Sequence, residues 1–180
     1  MHEEIIFSGF GGQGALFAGQ LLTYAALDEG RQVTWIPSYG PEMRGGTAHC
    51  VVIISDEPIG SPLTRNPTVA VVLNPASMDK YEPLVRPGGI LVVNSSLVQR
   101  PATRNDITVV TIPANDIARE VGDVRMANAV LLGALLAVKE MVKPASIQKA
   151  MDEHIPAAKA RFIEPNKQAL QRGLDYAVRQ

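Results

Sequence analysis

Cysteine is nearly absent: Cys50 is the only one in 180 residues. That excludes an internal disulfide, and it excludes an iron–sulfur cluster or Cys-rich zinc site held by this chain's own thiolates. Charge of one sign is missing too. With 17 basic residues against 18 acidic ones, nothing draws in nucleic acid or an anionic membrane surface. Long hydrophobic runs are also lacking. The longest, Ala127 to Val138, is interrupted by Gly133 and falls short of the roughly 20 residues that cross a bilayer. Met1-His2-Glu3-Glu4 is acidic and leads straight into a strand-like run, unlike a secretory leader, so a cytoplasmic location is the expectation. Charged residues make up only 19% of the chain and hydrophobic ones 46%. That balance is apolar for a free monomer and points to a subunit with buried interfaces.

What is present begins with Ile5-Ile6-Phe7-Ser8-Gly9-Phe10-Gly11-Gly12-Gln13-Gly14. A strand-type run ends in glycines, and a helical pattern starts where they stop, near Gln13, and continues to Asp28 before Gly30. Gly9, Gly11 and Gly14 satisfy G-x-G-x-x-G. Such a turn presents bare backbone N–H groups, here expected from Gly11, Gly12, Gln13 and Gly14, at a helix N-terminus. The helix dipole places about half a positive charge there, so an anion can be held without a cationic side chain.

A nicotinamide fold would end its second strand with Asp or Glu about 20 residues past the glycines. Here the strand Gln32-Val33-Thr34-Trp35-Ile36 runs into Pro37-Ser38-Tyr39-Gly40 with no acid at its end, which argues against NAD or FAD. The connection Pro37 to Gly46 holds two prolines and three glycines and is longer than packing requires, a mark of functional loops. Thr47 to Ser55 then reads as a long strand. No helix separates it from the strand before, so the pair should be antiparallel. Further strands follow at Val69–Leu73, Ile90–Asn94 and Thr108–Ile112, with a short helix at Ala76–Leu84 between the first two. From Asn115 onward the chain reads as helical, with a strong helix at Val124–Met141, another after Pro144 and a last from Pro156 to Val178. The pattern predicts one domain over residues 1–180: a three-layer α/β/α fold with a mixed, mostly parallel sheet and a helical C-terminal third. Both glycine loops should share the carboxyl edge of the sheet.

No catalytic set and no metal-ligand cluster can be assembled. Arg44 reads either as an anion or partner contact, with Glu42 as its counter-charge, or as one half of a pair that braces the loop. Gln13 either reaches a ligand or caps the turn. His49 and Cys50 are strand neighbours that point to opposite faces, so they cannot form a nucleophile pair, and both read as structural. Asn128, the polar position in an apolar helix, is either a buried hydrogen-bonding residue or part of the ligand crevice.

Three stretches occur together: Gly9-Phe10-Gly11-Gly12-Gln13-Gly14, Tyr39-Gly40-Pro41-Glu42-Met43-Arg44-Gly45-Gly46-Thr47, and Asn128-x-x-x-Leu132-Gly133-Ala134. In combination they resemble the gamma subunit of 2-oxoacid:ferredoxin oxidoreductases. The same unit occurs as a domain of single-chain pyruvate:ferredoxin and indolepyruvate oxidoreductases. The resemblance runs from Ile5 to the last helix, and its wording is nearer the 2-oxoglutarate or branched-chain type than the pyruvate type. It implies oxidative decarboxylation of a 2-oxoacid to an acyl-coenzyme A, with electrons passed to ferredoxin. Thiamine diphosphate, Mg and iron–sulfur clusters would then sit on partner alpha, beta and ferredoxin-like delta subunits. This chain would contribute structure and a coenzyme A entrance built from Gly9, Gly11, Gly12, Gln13, Gly14, Tyr39, Glu42 and Arg44. It would be inactive alone and inclined to form homo-oligomers. The alternatives are a free-standing NAD- or FMN-binding reductase, or a structural subunit that binds nothing.

Overall fold

In the computed structural model the described residues are 1–40 and 46–178. Glu42 and Arg44 lie outside them. Six strands form a single sheet: β1 (His2–Phe10), β2 (Gln32–Tyr39), β3 (Thr47–Ser55), β4 (Val69–Val72), β5 (Ile90–Asn94) and β6 (Thr108–Ile112), in the spatial order β2-β3-β1-β4-β5-β6. β3 is antiparallel to both β1 and β2, whereas β1, β4, β5 and β6 are mutually parallel. The mixed sheet read from the sequence is thus the observed one.

Alternation along the central strands feeds two cores, as expected for a sheet covered on both faces. Ile5, Phe7, Cys50, Val52, Val69 and Val71 face helices α1 (Ala15–Asp28) and α4 (Ala127–Val138). Ile6, Val51, Ile53, Ala70 and Val72 face the short helix α2 (Pro75–Tyr81). The first layer is thick, because α3 (Ala114–Val121), α5 (Pro144–His154) and α6 (Ile163–Val178) also pack there. No helix among the described residues is long and apolar enough to cross a membrane.

The structure revises several boundaries. Strand β2 continues through Pro37 to Tyr39, pairing Pro37 with Cys50 and Tyr39 with Ala48. Proline is tolerated there because β2 is an edge strand, with only one side in the ladder. The strong helix is shorter than Val124–Met141: one turn of 3-10 helix covers Val124–Met126, and α4 ends at Val138. The last helix begins at Ile163, after a 3-10 segment at Ala157–Phe162.

Two close approaches depend on missing side chains. A Cβ on Gly19 of α1 would stand 2.4 Å from the Cys50 sulfur, so the helix lies directly on β3. Gly133 of α4 and Gly173 of α6 do the same for each other's helix. A Cβ on Gly133 would meet the Leu170 carbonyl oxygen at 2.1 Å, and one on Gly173 the Val130 oxygen at 2.0 Å.

Candidate functional site

The carboxyl ends of β1, β2, β4, β5 and β6 share one edge of the sheet, where open α/β sheets place their ligands. The glycine turn leaves β1 there, and β2 ends and β3 begins at the same edge. A bond from the Gly11 amide to the Gly46 carbonyl, 2.9 Å, ties them together.

The turn is a more committed structure than its sequence suggests. The left-handed conformations fall on Gly12 (φ 96°) and Gly14 (φ 80°), where a side chain would be strained. Of the four N–H groups expected to face a ligand, two are consumed internally. Gly11 donates to Gly46, and Gln13 donates to the Phe10 carbonyl at 3.0 Å. The Gln13 side chain also folds back, its Oε1 accepting from the Phe10 amide (2.7 Å) and from Asn74 Nδ2 (2.9 Å). Asn74 in turn caps α2 through the Ser77 amide. Gln13 thus braces the two strand-to-helix turns against each other. Gly9 makes room for it, since a Cβ at Gly9 would stand 2.8 Å from Gln13 Oε1. Gly12 is exposed with open space around it, and Tyr39 is 58% exposed at the end of β2.

On the helical side of the turn lies a cleft of about 420 Å³. Gly12, Gly14 and Phe17 form one wall. Asn128, Met126, His154, Lys159 and Asn166 line it as well. Asn128 is 4% exposed and serves both roles the sequence left open. Its Nδ2 donates to the Gly14 carbonyl at 3.1 Å and its Oδ1 accepts from the Ala129 amide, while the residue still borders the cleft. No side chain caps the first turn of α1. Arg125 also lines the cleft, but it grips Asp123 and lies over the Phe162 ring at 5.0 Å.

His49 and Cys50 lie on opposite faces of β3, as their adjacency on a strand implies. The His49 ring packs at a tilt against Tyr81, 5.8 Å between centroids, and its pKa is lowered by burial and then by the Lys80 charge. The Cys50 thiol is fully buried, and burial pushes its pKa up to about 12. No three His, Cys, Asp or Glu residues gather as a metal site among the described residues. The residues that sequence reasoning missed, His154, Lys159 and Asn166, come from the last third of the chain and carry no motif.

Residues 4–176 match the family described as pyruvate ferredoxin/flavodoxin oxidoreductase. The chain belongs to that family. Within the pyruvate ferredoxin/flavodoxin oxidoreductase family, the chain is 39% identical over 97% of its length to ketoisovalerate oxidoreductase subunit VorA of Methanothermobacter thermautotrophicus. It spans only 36% of that relative. It is 37% identical to 2-oxoglutarate synthase subunit KorC of Methanocaldococcus jannaschii, over 98% of this chain and 95% of the relative. Among solved structures, the gamma subunit of keto/oxoacid ferredoxin oxidoreductase from Geobacter sulfurreducens superposes with a TM-score of 0.84 at 34% identity, covering 99% of both chains. The 2-oxoglutarate:ferredoxin oxidoreductase of Magnetococcus marinus, solved with coenzyme A bound, shares the fold at a TM-score of 0.89, with 20% identity over 31% of that chain.

Proposed function

We propose that this chain is the gamma subunit of a 2-oxoacid:ferredoxin oxidoreductase. The complex would oxidatively decarboxylate a 2-oxoacid to its acyl-coenzyme A and pass the electrons to ferredoxin. The single observation that carries the reading is the match to a solved gamma subunit at 34% identity over 99% of each chain. One cysteine is too few to ligate an iron–sulfur cluster, and the reading assigns the clusters, thiamine diphosphate and Mg to alpha, beta and delta partners. 2-Oxoglutarate is the proposed substrate, supported by the match along 95% of a KorC subunit. Coenzyme A is proposed to approach the carboxyl edge of the sheet at the glycine turn, with Glu42 and Arg44 as the further candidate contacts.

Affinity purification of the tagged chain from its source organism tests this. Co-elution of thiamine-containing subunits, with coenzyme A-dependent reduction of a viologen dye by 2-oxoglutarate, is expected. A chain that elutes alone, while all such activity stays in the unbound fraction, overturns the reading. Within the purified complex, Arg44→Ala should raise the KM for coenzyme A or lower the assembly yield. A variant unchanged in both makes Arg44 a loop brace.

A further inference from the structure

Strand β2 is the open edge of the sheet, and among the described residues its only neighbour is β3. The bond from the Gly40 amide to the Thr47 carbonyl, 2.7 Å, fixes which residues face inward. Antiparallel ladders alternate, so the even-numbered residues of β2 bond to β3, while Val33, Trp35, Pro37 and Tyr39 turn their peptide groups outward. A row of outward donors and acceptors pairs with another strand unless charge, twist or proline prevents it. Charge does not prevent it here. Gln32 to Tyr39 contains no charged residue, and neither does the preceding helix from Ala15 to Leu27. Ile36 on the strand and Leu27 at the end of that helix are both exposed. Only Pro37 interrupts the edge, its missing N–H falling on the outer side.

Pro37 leaves Gln32–Ile36 as the stretch open to pairing, and that stretch is complementary to itself. A two-fold axis normal to the sheet, passing between one Thr34 and the Thr34 of a second copy, sets Val33 of each copy opposite Trp35 of the other. Both are outward-facing positions, so the two pairs exchange four N–H···O bonds. Val33 and Trp35 lie on the α1 face, where each pair sets an aromatic ring against a β-branched side chain, a favourable cross-strand combination. On the opposite face Thr34 meets Thr34. In the single chain Thr34 Oγ1 is buried and has no hydrogen-bond partner among the described residues, which is costly. Turned about χ1 toward the axis, each hydroxyl reaches its counterpart, the kind of threonine pair that joins neighbouring strands. The next outward position sets Arg31 opposite Pro37, where the ladder ends: proline has no N–H, and the Arg31 amide already donates to the Ala26 carbonyl at 3.0 Å. No like charges come opposite each other within the ladder.

We propose that two copies of this chain join edge to edge through β2, antiparallel about an axis at Thr34, to make one continuous sheet of twelve strands. The joint goes beyond the gamma-subunit reading and is tested on the chain itself.

Sedimentation equilibrium of the full chain should show a monomer–dimer equilibrium. The ladder is shorter than a standard interface, so the dissociation constant should be about micromolar. Trp35 is the only tryptophan, and its emission should shift with concentration over the same range. Thr34→Cys reads the register. Cα atoms of a non-hydrogen-bonded antiparallel pair lie about 4.5 Å apart, within disulfide reach, so this variant should form a covalent dimer under mild oxidation. Ile36→Cys, which faces Gln32 of the second copy, should not. Val33→Pro removes an outward N–H without touching the β3 ladder and should raise the dissociation constant at least about tenfold. Circular dichroism reports whether that variant keeps its fold; if it does not, the two cysteine variants decide. A chain monomeric up to about 1 mM, a folded Val33→Pro variant that dimerises as wild type does, or cross-linking at Ile36→Cys equal to that at Thr34→Cys overturns the proposal. So does a purified complex in which Thr34→Cys cross-links to a different subunit, because another chain then occupies the edge. Turnover of the 2-oxoacid is measured separately, so failure of the functional reading leaves these outcomes unchanged.

Discussion

Asn128 and Gly14 are 114 residues apart and meet side chain to backbone: Asn128 Nδ2 donates to the Gly14 carbonyl at 3.1 Å. The approach is close enough that a Cβ on Gly14 would lie 2.5 Å from that same nitrogen. Gly14 is also the residue that starts α1, in a left-handed conformation with φ 80°. A single contact therefore joins the glycine turn to the first turn of α4 and sets one corner of the cleft.

Gly14→Ala is expected to destabilise the chain by about 2 kcal/mol or more, combining left-handed strain with the clash. Asn128→Ala should cost about 1–2 kcal/mol through the lost bonds. In the double variant the clash disappears, so its loss should be smaller than the sum of the two. Urea denaturation of the four proteins checks this, and strict additivity would show that the contact is unimportant.

The crossing of α4 and α6 should tolerate even less. Gly133→Ala and Gly173→Ala each drive a methyl group into a carbonyl oxygen of the facing helix. Backbone cannot rotate aside as a side chain can, so each should cost about 3 kcal/mol. Thermal melts that match wild type would mean the helices separate freely.

Glu82 is a buried carboxylate that organises the segment before β6. It accepts from Arg100 Nη1 at 2.7 Å, from the Thr103 amide and hydroxyl, and from the Arg104 amide. Burial alone pushes its pKa up, but the bonds from Arg100 and Thr103 outweigh burial and hold it below the ordinary glutamate value of 4.5. A carboxyl depressed in the folded state contributes stability above its unfolded pKa, and that contribution is lost as pH falls through the folded value. Glu82→Gln should therefore cost about 2 kcal/mol at neutral pH and flatten the acid side of the stability profile. A variant with an unchanged acid limb would contradict this role.

Cys50 should be inert in the folded chain. With its thiol buried and its pKa pushed up to about 12, the thiolate that reacts with alkylating reagents is scarce at pH 8. Labelling by iodoacetamide should be negligible in the native protein and complete in denaturant. Rapid labelling without denaturant would place the sulfur at an accessible surface.

Local chemistry made much of this protein legible from its residues alone. The glycine turn, the antiparallel β2–β3 pair, the buried central strand and the inability of His49 and Cys50 to act together all follow from periodicity, glycine placement and the two-residue alternation of a strand. The extent of β2 did not, because only its edge position makes Pro37 harmless. Nor did the division of labour within the turn. That Gln13 turns back onto Phe10, and that Gly11 donates to Gly46 rather than to a ligand, depends on Asn74 and Gly46 arriving at the same sheet edge. The cleft was the least visible. Its lining includes His154, Lys159 and Asn166, more than a hundred residues beyond the turn, and only the reciprocal Gly133–Gly173 crossing, the packing of α5 and the Asn128–Gly14 contact bring them to the same cleft as Gly12 and Gly14. Sequence patterns report which residues share an element and a face. Which distant elements face each other is decided by how closely their backbones can pack.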